Sequence, residues 1–250
     1  MLHWYGIFIA GAILVTYFFA EKRAKKIGIS SDQFSRLATT MLIFGFIGAR
    51  LWHVATDWSL YSHDLLAAMY VWRGGLSIFG GIVGGALGLW WEWRKLVQEN
   101  ITFFHLSDSI LLVLPIGQAL GRLGNWSNQE LYGLPTNLPW KLYISPEHRL
   151  PEFARVSYYH PLFAYEAILL LLFTVALWRL EKLQPKVWKI GSGRVTIAYI
   201  LFYCVLRFLL DFIRPDKQTF LATGFGVNQL VVALVAVTLS SILIVRKVTA

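Results

Sequence analysis

The segment "GRLGNWSNQELYG", residues 121–133, puts Arg122, Asn125, Asn128 and Glu130 directly after the apolar run "SILLVLPIGQAL". A guanidinium binds a carboxylate or a phosphate through two parallel hydrogen bonds, and asparagine amides orient hydroxyl or ester groups. No acid lies one helical turn beyond Arg122, so its most natural partner is an anionic ligand, and at membrane depth the abundant anion is a phospholipid headgroup. Snorkelling of the side chain to the membrane surface is the plainer alternative. A second polar stripe lies in "YCVLRFLLDFIR", where Tyr203, Arg207 and Asp211 follow at successive i, i+4 steps and Arg214 comes one turn later. Its local reading is an intramembrane salt bridge between Arg207 and Asp211. Arg50, and Arg73 further along, are likewise charges in apolar surroundings.

These residues need helices in lipid to hold them. Of 250 residues 56% are hydrophobic and 15% charged, where a soluble domain has about 25% charged, so the chain reads as an integral membrane protein. The net charge of +9 sits in short clusters, which points to membrane orientation and anionic lipid, and no nucleic-acid signature accompanies it. A single cysteine, Cys204, excludes an internal disulfide framework, and no ligand cluster for a metal is present, so no cofactor is expected.

Seven apolar stretches of spanning length fall at about 4–20, 37–53, 76–93, 106–120, 162–180, 195–213 and 227–245. The expected fold is an all-α integral membrane protein with seven transmembrane helices in one multi-pass domain, 1–250. Basic loops follow the first, third, fifth and last stretches, which puts the N-terminus outside and the C-terminus in the cytoplasm. The first stretch has its positive charges after the apolar run, so it reads as a retained helix and not a cleaved signal peptide. Residues 57–75 read as an interfacial amphipathic arm with Tyr70 and Trp72 at headgroup depth, and residues 126–160 as a small extracytoplasmic head. In "GGIVGGALG", Gly80, Gly84 and Gly88 share a helical row, the pattern of close helix packing.

The thirteen-residue segment closely resembles the signature of the bacterial prolipoprotein diacylglyceryl transferase family. The similarity continues in order through "HWYG" at residues 3–6, "GARL" at 48–51, "WRGGLSIFGG" at 72–81, "HPLFAYE" at 160–166 and "YCVLRFLLDFIRPD" at 203–216. The resemblance implies an enzyme of the bacterial cytoplasmic (inner) membrane, with its active site toward the outer leaflet. It would transfer the diacylglyceryl group of phosphatidylglycerol to the lipobox cysteine of a preprolipoprotein signal peptide, forming a thioether and releasing glycerol 1-phosphate. Its partners would be that lipid and that peptide, with no nucleic acid. The substrate brings the thiol, so Cys204 reads as packing.

On this resemblance Arg122 and Arg207 clamp the phosphate, and Asn125, Asn128 and Gly133 line the substrate site. Tyr203 supports Arg207, and Tyr5 closes the pocket or donates a hydrogen bond. Glu130 either pairs with an arginine or takes the thiol proton, and Glu166 buttresses the signature loop. The chain departs from the family pattern at Phe79, where a histidine proposed as general base stands, and at Phe163, where a glutamine stands; Asp211 is a shortened acid and His3 replaces an arginine. His3 is a candidate substitute base or an inert surface residue. A divergent phospholipid-binding paralogue with weak or altered transfer, and an anion or lipid transporter, are the other readings; repeated halves typical of transporters are not seen.

Overall fold

The computed structural model describes residues 4–217 and 225–248. His3 lies outside the described residues, as do the side chains of Arg73, Arg246 and Lys247. Eight helices dominate: α1 (Trp4–Lys25), α2 (Ser31–Thr56), α3 (Ile78–Leu96), α4 (Phe103–Leu111), α5 (Leu114–Ser127), α6 (Leu162–Leu183), α7 (Arg194–Leu210) and α8 (Val227–Val248). Five are long and apolar enough to cross a membrane, and α4 with α5 adds a sixth when taken as one bent span. The expected fourth span is thus two helices. Pro115, in the first turn of α5, has no N–H to continue the ladder from α4. The expected third span forms as α3 but is not among the five; its last turns carry Glu92, Arg94 and Lys95.

The chain divides into two compact units, Ala20–Ser109 and the described residues on either side of it. In the first unit α2 starts on a reciprocal cap: Gln33 N–H donates to Ser30 Oγ at 3.2 Å and Ser30 N–H to Gln33 Oε1 at 2.8 Å. The glycine row of α3 lies against α2. A Cβ at Gly80 would strike the Gly48 carbonyl and one at Gly84 the Phe44 carbonyl, so only bare backbone permits this approach.

The segment 57–75, expected as an arm, is built of short turns. It is three 3-10 turns, Trp58–Leu60, Leu65–Met69 and Val71–Arg73, wrapped around Arg50. The buried guanidinium donates to the carbonyls of Ala68 (Nε, 2.8 Å), Gly74 and Gly75 (Nη1, 2.8 Å each) and Ala67 (Nη2, 2.9 Å), and it lies 5.2 Å from the Tyr61 ring centroid. Four backbone dipoles, not a carboxylate, therefore compensate this arginine. Gly74 and Gly75 have φ of +88° and +77°, which lets both carbonyls turn toward one nitrogen.

In the second unit Leu162, Leu170, Leu206, Leu210 and Ala119 form a core between α5, α6 and α7. Phe173 and Phe202 stack across α6 and α7 at 3.9 Å. The start of α1 reaches α5 at its glycines: a Cβ at Gly117 would strike Thr16, and one at Gly124 would come within 3.0 Å of the Tyr5 ring. The head adds a departure from an all-α fold, an antiparallel pair β1 (Leu142–Tyr143) and β2 (Tyr158–Tyr159). Its core is Tyr132, Ile144 and Tyr159. Tyr132 fixes the loop above by donating to the His148 carbonyl at 2.8 Å and accepting from Leu150 N–H at 3.0 Å.

Candidate functional site

Three helices of the second unit bring the charged residues together. Arg122 and Asn125 come from α5, Glu166 from α6, and Tyr203 with Arg207 from α7. Glu166 is fully buried, at 0% exposure. Arg122 Nη2 donates to its Oε1 at 2.6 Å and Arg207 Nη1 to its Oε2 at 3.2 Å. Arg122 Nη1 also donates to Asn125 Oδ1 at 3.1 Å.

Two guanidinium groups on one carboxylate leave one positive charge over. Donors are left over as well. Arg122 Nε is buried with no partner, and among the described residues Arg207 is bonded through Nη1 alone. A cation in a low-dielectric setting without a full complement of acceptors is costly unless an anion joins it. The arrangement can therefore grip a phosphate or carboxylate group with fixed, directional donors.

The signature loop stands beside this centre. After α5 ends, Gln129 and Leu131 adopt φ of +52° and +54°, a conformation costing non-glycine residues about 1–3 kcal/mol each. Bonds from the loop offset that cost: Glu130 N–H donates to the Asn125 carbonyl at 2.8 Å, and Gln129 Oε1 accepts from Ser145 N–H of the head at 2.7 Å. The turn presents the exposed Glu130 carboxylate to two amides, Asn128 Nδ2 at 3.1 Å and Asn125 Nδ2 at 3.4 Å. Of the two roles expected for Glu130, pairing with an arginine is not what the described residues display. Asn125 thus connects Arg122 to Glu130. Gly133 is buried, its N–H donating to the His160 carbonyl at 2.8 Å; a Cβ there would stand 2.8 Å from His160 Cβ, which gives this glycine a packing reason. Tyr5 is partly exposed, its ring against Gly124.

Two local expectations are corrected. Arg207 does not pair with Asp211. The α-helix ends at Leu210 and Asp211 opens a 3-10 turn, so the i, i+4 relation is lost and the carboxylate turns toward Gly226, where it is 1% exposed with neither oxygen hydrogen-bonded among the described residues. Arg122 does have a protein partner, Glu166, on a different helix.

Glu166 is the residue that local reading undervalued as a mere buttress. The signal for it was an acid inside an apolar span with no basic residue within a turn. Arg214 belongs to a separate pair, donating to Asp216 from Nε at 2.6 Å and from Nη2 at 2.9 Å. Cys204 is buried in α7. Phe163 is buried and stacks on Trp126, with centroids 6.3 Å apart. In the other unit, Phe79 lies 6.3 Å from the Trp52 ring.

A model of the family described as prolipoprotein diacylglyceryl transferase matches residues 1–246. A Thermotoga petrophila protein named phosphatidylglycerol–prolipoprotein diacylglyceryl transferase is 36% identical over 218 residues, covering 86% of this chain and 72% of its own length. Proteins of the same name from Thermosynechococcus vestitus and Cutibacterium acnes are 34% and 35% identical. The first covers 96% of this chain and 86% of its own length, the second 86% and 71%.

Proposed function

Because this chain belongs to the prolipoprotein diacylglyceryl transferase family, we propose that it transfers the diacylglyceryl group of phosphatidylglycerol to the lipobox cysteine of a preprolipoprotein, forming a thioether and releasing glycerol 1-phosphate. The observation that carries this reading is the single carboxylate of Glu166 shared between Arg122 and Arg207. In the reaction a sulfur lone pair attacks the glycerol carbon bearing the phosphoester. The carbon–oxygen bond breaks, and its electron pair stays on the departing phosphate. Negative charge therefore grows where the surplus guanidinium charge and the unbonded N–H groups of Arg122 and Arg207 are available. Fixed donors of this kind stabilise the transition state more than the ground state.

Asn125, Asn128 and Gly133 shape the lipid's seat, Tyr5 closes it, and Tyr203 supports Arg207. Glu130, bonded only by amides among the described residues, is the nearest candidate to accept the thiol proton, which then passes to the departing phosphate. The enzyme's own cysteine is not needed. We place the reaction at the outer leaflet of the bacterial inner membrane, with seven crossings, an external N-terminus and a cytoplasmic C-terminus. Basic last turns on α1, α3 and α6 support that orientation.

Phe79, where the family pattern has histidine, favours a second reading, a paralogue that binds the lipid but transfers it slowly or elsewhere. Purified protein in detergent, given labelled phosphatidylglycerol and a lipobox peptide, separates the two. Thioether-linked lipid supports transfer; bound lipid without product supports the paralogue.

A further inference from the structure

The head offers an open strand edge that the phosphate site does not use. Ile144 N–H donates to the Ser157 carbonyl at 3.0 Å, and Leu142 is paired with Tyr159. Alternate residues of an antiparallel strand turn their backbone groups to the partner, so Tyr143, between these two, turns its N–H and carbonyl away from β2. Neither group has a partner among the described residues. Two residues further on the same edge, Ser145 N–H is already taken by a side chain, Gln129 Oε1 at 2.7 Å.

Beside this edge is a cleft of about 430 Å³ lined by Trp4, Phe8, Trp126, Gln129, Leu142 and Tyr143. Trp4 is 58% and Trp126 53% exposed, a large aromatic surface. We propose that this cleft and the outer edge of β1 bind an extended, apolar stretch of the acceptor polypeptide, its backbone pairing with Tyr143 and its side chains resting on the aromatic rings.

This rests on the transferase reading and specifies where its peptide substrate docks. An acyl chain would cover the rings but leave the Tyr143 N–H and carbonyl desolvated and unpaired, at about 1–3 kcal/mol per group. A peptide supplies both apolar side chains and alternating backbone groups, the mode of strand addition. Trp126 and Gln129 also belong to the segment carrying Asn125 and Glu130, so a peptide held here lies along the signature loop.

The test is direct binding, independent of catalysis. A fluorescent lipobox peptide with its cysteine replaced by serine is titrated against the full chain in nanodiscs containing phosphatidylglycerol. Tyr143→Pro, compared with Tyr143→Ala, isolates the outward N–H at an edge position that tolerates proline, and Trp4→Ala removes an exposed ring. Each is expected to weaken binding by about 2- to 10-fold, the worth of one hydrogen bond or contact. Single N-methylation along the peptide should weaken binding at alternate residues and spare those between. Unchanged peptide affinity in both variants with no alternation overturns the proposal. So does a rise in the KM for phosphatidylglycerol with peptide affinity intact, which assigns the cleft to an acyl chain. Alternating, variant-sensitive binding by a protein that forms no thioether keeps this site and removes the proposed reaction instead.

Discussion

Arg122 and Arg207 hold opposite oxygens of one buried carboxylate, at 2.6 and 3.2 Å, so neither arginine is neutralised alone and the pair keeps one positive charge. Glu166 sets the spacing between the guanidinium groups as well as their net charge. Its two oxygens act as a jig: each takes one nitrogen of one arginine, and the N–H groups bonded to neither Glu166 nor Asn125 are left for a phosphate.

Glu166→Gln tests that jig. The amide has an acceptor for one arginine and an NH2 group facing the other, so the fork opens while net positive charge rises by one. Turnover is expected to fall about 10²-fold or more, the scale of losing one preorganised donor, with phospholipid still bound. Arg122→Ala should abolish transfer with expression intact, and Arg122→Lys should recover little, since an ammonium lacks the planar fork. Unchanged turnover in Arg122→Ala would remove that residue from phosphate binding.

Asp211→Asn discriminates between the pairing read from the i, i+4 spacing and the one observed. Were Asp211 the partner of Arg207, its neutralisation would cost about 3–5 kcal/mol. With both oxygens unbonded, the substitution is expected to leave the thermal midpoint in detergent unchanged or raise it.

Arg50→Ala removes four hydrogen bonds to carbonyls and one cation–π contact with the Tyr61 ring from a segment with no α-helix. The expected loss is about 3 kcal/mol or more, with hydrogen exchange rising across residues 57–75 before the helices. Arg50→Lys should restore only part, having three donors instead of five.

The head-side pair responds to acid. The hydrogen bonds from Arg214 hold the Asp216 carboxyl below its ordinary value, and burial opposes them. Its contribution to stability is therefore complete above the unfolded value of about 3.9 and fades as pH falls through the lower folded value. Melting curves should show no pH dependence from this pair between pH 5 and 8, and Asp216→Asn should lower stability there while flattening the decline below about pH 4.

Phe79→His addresses the missing histidine. A free thiol near pKa 8.5 is already a few per cent thiolate at neutral pH, so the gain in rate should stay under about tenfold and shrink as pH approaches 8.5. A pH–rate profile reads it directly. No gain at any pH would mean that thiolate forms unaided or that another group takes the proton.

Composition and apolar length determined the membrane class, and helices form on each expected stretch, the fourth as a broken pair, because lipid leaves the backbone no other way to satisfy its own hydrogen bonds. The glycine row was legible too, since spacing along one helix fixes which face is smooth. Order and identity of the short polar motifs determined the family. What the sequence could not display was partnership across helices. Arg122 finds its acid 44 residues away and Arg207 finds the same one 41 residues back, while the nearer Asp211 is turned aside by the end of α7. Likewise nothing local says that Arg50 is compensated by carbonyls of a later segment. Spacing rules describe neighbours on one helix; which buried charge meets which is decided by packing, because desolvated charge takes the partner that the whole fold brings within hydrogen-bonding distance.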